Sequence, residues 1–267
     1  MIAYVHTADA NGAQADLMLI KRGTLFALLA SAAIAFPAAP AAHAIVNGDK
    51  ASEAYPFMGS LQRPDSPRPD GHVCGAALIA KQWMVTAGHC VRGGKVSAWK
   101  VRIGSPQVDK GGELIGVKRA VAHPDGAYGG DIALLQLKKP ARATPVQIAS
   151  HAPKPGTGMR ILGWGLTCSK NAASCWPKDL RELDTKRLAD RTCADSGLVP
   201  GKELCIASVN GRGPANMDSG GPALVKTKGG WTLVGATSGS GGTTGVDPTV
   251  YTNVSAKDSW IKSVVNP

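Results

Sequence analysis

From residue 57 onward the chain alternates short apolar runs with turn-forming residues. The runs 57–62, 73–80, 100–104, 113–122, 132–137, 159–163, 231–238 and 248–254 have strand length, and stretches such as 63–71 between them are rich in Pro, Asp and Gly. Amphipathic helices would need longer periodic stretches. This pattern limits the chain to an all-β class, and its 33 Gly and 18 Pro supply the turns. A length of 267 residues gives room for a sizeable core, in one large all-β domain or two smaller ones. The C-terminal end is the exception. Ser255 and Asp258 form a box-like helix start, and Trp260, Ile261, Val264 and Val265 fall on one face, predicting a helix over 255–265.

The N-terminus reads as a removable segment. From Met18 the chain runs Met-Leu-Ile-Lys-Arg, then apolar from 24 to 35, then Ala42-His43-Ala44. This is the three-part layout of a secretory signal, with an A-x-A cleavage site. The apolar run is shorter than the ~20 residues that span a bilayer. Residues 1–17 carry Asp9 and Asp16 and resemble no basic leader, so Met18 is the expected start and 18–44 the expected signal. Cleavage after Ala44 would leave a secreted chain beginning at Ile45.

Export makes sense of six cysteines, which persist as disulfides in an oxidising compartment. Cys74, Cys90, Cys168, Cys175, Cys193 and Cys205 allow 15 connectivities. No Cys-x-x-Cys pair is present, and no metal site or cofactor is expected. A bridge from Cys74 to Cys90 would close a loop of ~15 residues, worth ~3 kcal/mol, and would hold the backbone carrying His89. Net charge is +11, and removing residues 1–44, which hold two cations and two anions, leaves it unchanged. No segment clusters basic residues, so specific nucleic-acid or membrane binding is not expected.

Three stretches carry chemistry. Thr86-Ala87-Gly88-His89-Cys90 follows a strand-like run. Asp131-Ile132-Ala133-Leu134-Leu135 starts another, whereas the competitor Asp125 is followed by none, and His123 only precedes a turn. Asn216-Met217-Asp218-Ser219-Gly220-Gly221-Pro222 is turn-like in composition. The order His89, Asp131, Ser219 differs from the Ser-acid-His order of α/β-hydrolases and the Asp-His-Ser order of subtilisins. It fits the chymotrypsin-like order, in which a histidine base and an aspartate orienter serve a serine nucleophile. These motifs, with Ile45-Val46-Asn47-Gly48 and Gly163-Trp164-Gly165, resemble those of the trypsin/chymotrypsin family of serine peptidases over nearly all of 45–267. The cysteine loop followed by 180–188 resembles secreted actinobacterial members.

The resemblance implies two six-stranded antiparallel β-barrels, about 45–145 and 155–254, followed by the helix. It implies an endopeptidase acting on proteins or peptides, with His89, Asp131 and Ser219 catalytic and the amides of Met217 and Ser219 as oxyanion hole. It pairs a free Ile45 amine with Asp218, and carries over the bridges Cys168–Cys175 and Cys193–Cys205. Gly213 takes the pocket-base position, Ser238 and Ser240 the substrate-pairing strand, and Thr249 the pocket wall. Without an Asp at 213, specificity for Lys or Arg is not expected. Met217 departs from the family's Gly, at a position where positive φ costs a non-glycine ~1–2 kcal/mol; reduced activity is expected. Ala215 replaces a pocket cysteine. A monomer open to proteinaceous inhibitors is expected. The rival is a catalytically weak basic binding protein on the same scaffold.

Overall fold

The computed structural model describes residues 44–266 other than 128, 169–171, 240 and 241. The expected signal up to residue 43, and Ser240, lie outside the described residues.

The first six long strands are β2 (Met58–Gln62), β3 (His72–Ala80), β4 (Trp83–Thr86), β5 (Lys100–Ile103), β6 (Glu113–Ala122) and β7 (Ala133–Leu137), preceded by the two-residue β1 (Asp49–Lys50). They close into a barrel in the order β2-β3-β4-β7-β6-β5. Where both faces are covered the strand is an apolar run, as in β4, all four of whose residues are buried, whereas β6 carries exposed Leu114, Lys118 and Arg119 on its open side. Met58, Leu61, Leu78, Met84, Ile103, Ile115 and Leu134 fill the interior, each under 3% exposed. Closure leaves no edge to pair with another chain.

The second sheet contains β8 (Gln147–Ile148), β9 (Gly158–Gly163), β10 (Arg181–Lys186), β11 (Glu203–Ile206), β12 (Pro222–Thr227), β13 (Gly230–Gly239) and β14 (Thr249–Asn253). Its order is β1-β10-β9-β12-β13-β14-β11, with β8 parallel to β13. The sheet comes round on itself, but β10 and β11 meet only at a bridge between Arg187 and Ile206. The hydroxyl of Thr185 donates to the Ala207 carbonyl across the same seam, 2.6 Å away. Ile45, Ile161, Leu183, Leu204, Ala223, Val234 and Tyr251 make the second core.

The C-terminal element is helical but starts later than expected. A 3₁₀ turn (Val254–Lys257) leads into α1 (Asp258–Val265). Ser255 does not cap the helix: its hydroxyl donates to Asn253 Oδ1 at 2.7 Å, and no side chain caps the first turn of α1. Asp258 instead pairs with Lys262, one turn on. Ile261 is buried, and Trp260, Val264 and Val265 pack partly against the first core.

Three disulfides join Cys74 to Cys90, Cys168 to Cys175, and Cys193 to Cys205. The first ties β3 to the 3₁₀ turn Gly88–Val91, which carries His89. Among the described residues no helix is long and apolar enough to cross a membrane.

Candidate active site

His89 sits on a short 3₁₀ turn just after β4. Its backbone N–H donates to Asp131 Oδ1 and its Nδ1 bonds Oδ2, both at 2.8 Å. Two contacts from one residue to one carboxylate fix the ring in position and direct Nε2 away from Asp131. The carboxylate is held further by the second sheet. Ser238 Oγ donates to Oδ2 at 2.7 Å, and Thr252 Oγ1 donates to the Asp131 carbonyl at 2.9 Å. Asp131 is buried to 5% exposure. Burial works against its charge, but the hydrogen bonds from His89 and Ser238 outweigh it and hold the carboxyl below the usual carboxylate range.

The nucleophile loop lies on the seam between the sheets. Gly75 on β3 donates its N–H to the Ser219 carbonyl at 2.8 Å. Gly220, at φ 75°, presses against β4; a Cβ there would lie 2.2 Å from Thr86 Oγ1. Successive groups of the loop are then pinned. The Asn216 carbonyl accepts from Leu166 N, the Met217 carbonyl from His72 Nε2, and the Asp218 carbonyl from Gly221 N. The Asp218 and Gly220 amides donate to Ala215 and Thr237. Among the described residues, the amides of Asn216, Met217 and Ser219 have no acceptor. Of these, the Met217 and Ser219 amides flank Asp218, and a pair of free backbone donors is what an oxyanion needs. Ser219 Oγ is not hydrogen-bonded to His89 in this state, as is common before substrate arrives.

Met217 takes φ 75°, the left-handed conformation for which glycine is the usual residue. Its carbonyl is held at 3.1 Å by His72. His72 is itself buried, with Nδ1 2.7 Å from Ser60 Oγ. Burial pushes its imidazole down to about 3, reinforced by Arg68 and opposed by Asp70 and the Met217 carbonyl. A neutral ring with one N–H aimed at Met217 is consistent with these contacts.

Asp218 is 2% exposed. Its oxygens accept from Gly165 N at 2.7 Å and Ala215 N at 2.9 Å. Side chains at Gly163 or Gly165 would collide with it, since a Cβ would come within 1.8 Å and 2.3 Å of its carboxyl. Burial raises its pKa to about 7, against the pull of those two amides and of the Arg68 guanidinium. Ile45 is 1% exposed and shares the second core with Tyr251, which faces Asp218. Ile45 has φ 48°, a costly conformation for a β-branched residue.

Beside Ser219 opens a cavity of about 230 Å³ lined by Pro214, Ala215, Asn216, Thr237, Ser238, Gly239, Thr244 and Thr249. None of these carries a charge. Ser238 and Thr249 are among these residues, and Gly213 is not. It pairs with Val46, and a Cβ there would meet Ser208 Oγ at 2.8 Å and Gly245 Cα at 3.2 Å. Gly213 is thus closely packed next to Pro214, which does line the cavity, and Thr244, which the sequence did not single out, contributes to the wall. Cys74, His89 and Cys90 bring potential ligand atoms within 4.8 Å of one another, but the two sulfurs are bonded together and offer no thiolate to a metal.

Comparison with known proteins shows the family. The Trypsin family model matches residues 45–261. The chain belongs to the trypsin family of serine endopeptidases. It is similar to a trypsin of Sarcophaga bullata, 31% identical over 82% of this chain and 87% of that protein. Granzyme M of Rattus norvegicus is 33% identical over 83% of this chain and 89% of its own length. A trypsin of Sus scrofa is 31% identical over 80% and 92%. The closed barrel, the second sheet and the C-terminal helix are the chymotrypsin-like fold of that family. His72, Arg68, Thr244 and Thr252 are the site contributors that sequence patterns did not expose.

Replacing Ser238 by Ala removes one of the bonds that keep Asp131 ionised. A carboxyl with a depressed folded pKa stabilises the fold above its unfolded pKa and loses that contribution as pH falls through the folded value. In Ser238→Ala that folded value rises, so acid unfolding begins at higher pH, and kcat/KM falls about tenfold, as expected for a charge-assisted bond worth about 1.5 kcal/mol. Acid titration followed by circular dichroism, with kinetics at neutral pH, checks both.

Proposed function

We propose that this trypsin-family chain is a secreted endopeptidase that cleaves peptide bonds through an acyl-enzyme on Ser219. The observation that carries this is the conjunction of the His89–Asp131 clasp with two unpartnered amides, Met217 and Ser219, in one seam. The Ser219 oxygen attacks the scissile carbonyl carbon while His89 Nε2 takes its proton. The carbonyl oxygen becomes an oxyanion and accepts from the Met217 and Ser219 amides. Collapse expels the amine, which takes the proton from His89, and water repeats the sequence to free Ser219. Asp131 keeps Nδ1 as the donor and stabilises the imidazolium. The reading of a weak basic binding protein would need a damaged base or orienter, and both are intact.

Maturation fits the same scheme. Ile45 occupies its core position already in the uncut chain, and cutting the Ala44–Ile45 bond relieves its positive φ while creating an amine for Asp218. Signal removal and activation would then be one event, with no separate propeptide.

Specificity follows from the cavity beside Ser219. About 230 Å³ suits a small or medium side chain, and hydroxyls of Ser238, Thr244 and Thr249 without a carboxylate give a buried cation no counter-charge. Substrates are therefore expected to present an uncharged residue before the cut.

A fluorophosphonate probe tests the chemistry, because it needs both an activated serine and an oxyanion hole. The secreted protein is expected to label and Ser219→Ala not to label. Met217→Gly is expected to label faster, since glycine meets φ 75° without strain; an unlabelled wild type contradicts the proposal. A peptide library should return small and medium uncharged residues before the cut, and a strong Lys or Arg preference overturns the pocket assignment.

A further inference from the structure

Arg68 lies in the 63–71 loop, a stretch whose composition reads as an exposed turn, yet its side chain is fully buried. Four of its five N–H groups have partners. Nε and Nη2 bind Asp70, Nη1 donates to the Trp164 carbonyl at 2.7 Å, and Nη2 donates to the Pro177 carbonyl at 2.8 Å. Trp164 stands between the two glycines that cradle the Asp218 carboxyl, and Gly165 N donates to that carboxyl. Asp70 also reaches beyond Arg68. Its Oδ1 accepts from His72 N at 2.9 Å, and His72 Nε2 holds the Met217 carbonyl. One buried ion pair thus reaches the nucleophile loop from two sides, at Asp218 and at Met217.

We propose that Arg68, neutralised by Asp70, is a positioning residue for oxyanion stabilisation, locking the Gly163–Gly165 cradle around Asp218 and thereby the amides of Met217 and Ser219. The planar fork suits this because it binds a carboxylate and two carbonyls at once, which an ammonium cannot do in fixed geometry. The clamp also favours the ionised form of Asp218. The other titratable groups around it are Tyr251 on β14, whose phenol burial keeps neutral, and the Ile45 amine once the chain is cut; His72, also neutral, touches the adjoining Met217. Arg68 is therefore a fixed cation that acts on Asp218 before and after maturation. The inference rests on the oxyanion role of the Met217 and Ser219 amides given above.

The test uses the secreted protein with Arg68→Met and Arg68→Lys, measuring kcat and KM per fluorophosphonate-titrated site across pH, alongside thermal melting. Arg68→Met is expected to lower kcat per titrated site about tenfold or more, with KM within about twofold, as loss of oxyanion donors does. It removes a cation that lowers the Asp218 pKa, so the acid limb of kcat/KM moves to higher pH. Arg68→Lys keeps a cation against Asp70 and so keeps the fold; it is expected to leave the acid limb in place while losing about threefold in kcat, because the fork is gone. If Arg68→Met does not accumulate as folded protein, Arg68→Lys decides by its kcat per titrated site. Wild-type kcat per site and an unmoved acid limb in the folded variants overturn the proposal, whatever happens to melting temperature. Failure of the wild type to label at Ser219 would instead overturn the oxyanion reading on which it rests.

Discussion

A carboxyl group buried to 2% exposure beside the nucleophile is the constraint on which the site depends. Asp218 has two amide donors and a nearby guanidinium, yet burial still lifts it to about 7. A buried charge without a full partner is costly, and it stays only where the surroundings supply one. In this chain the surroundings are built for that purpose. Gly163 and Gly165 leave room for the carboxyl, Arg68 braces the peptide between them, and Ile45 already lies in the adjoining core. Because Asp218 is flanked by Met217 and Ser219, whatever fixes Asp218 also fixes the amides proposed to receive the oxyanion.

The second requirement is that groups from two sheets meet with small error. Asp131 does this for the base. It binds His89 twice from the first barrel, and it receives Ser238 and Thr252 from the second sheet. The Cys74–Cys90 bridge anchors the turn that carries His89. The serine side is joined across the same seam through Gly75 and through the close approach of Gly220 to Thr86. His89 and the Ser219 loop are thus each held by both halves of the molecule, which is how rigid elements preorganise a site.

The strands are legible in the sequence because barrel strands buried on both faces appear as apolar runs, and His89, Asp131 and Ser219 stand out because their neighbours are as distinctive as they are. Other features depend on partners far along the chain. Arg68 looks like a turn residue until it meets Trp164, 96 positions on, and Pro177, 109 positions on. His72 is opaque for the same reason, with Met217 145 positions away. The helix starts later than its capping pattern suggests because Ser255 bonds Asn253 instead of the helix, after a 3₁₀ turn that local composition does not announce. The close approach of Gly245 to Gly213 is likewise set by a residue distant in the chain. Met217 matters at both levels: the sequence marks it as an unexpected side chain, and the backbone holds it in the glycine-like conformation nonetheless.

If the Asp218 carboxyl needs the Ile45 amine to shape the oxyanion hole, the length of the N-terminus must control the rate. The most direct measurement compares kcat/KM for the chain beginning at Ile45 with the same chain carrying one extra Met before Ile45. Removing one partner of a buried pair costs ~3–5 kcal/mol, so the extended chain is predicted to lose about a hundredfold or more. Equal kcat/KM for the two chains would contradict the account.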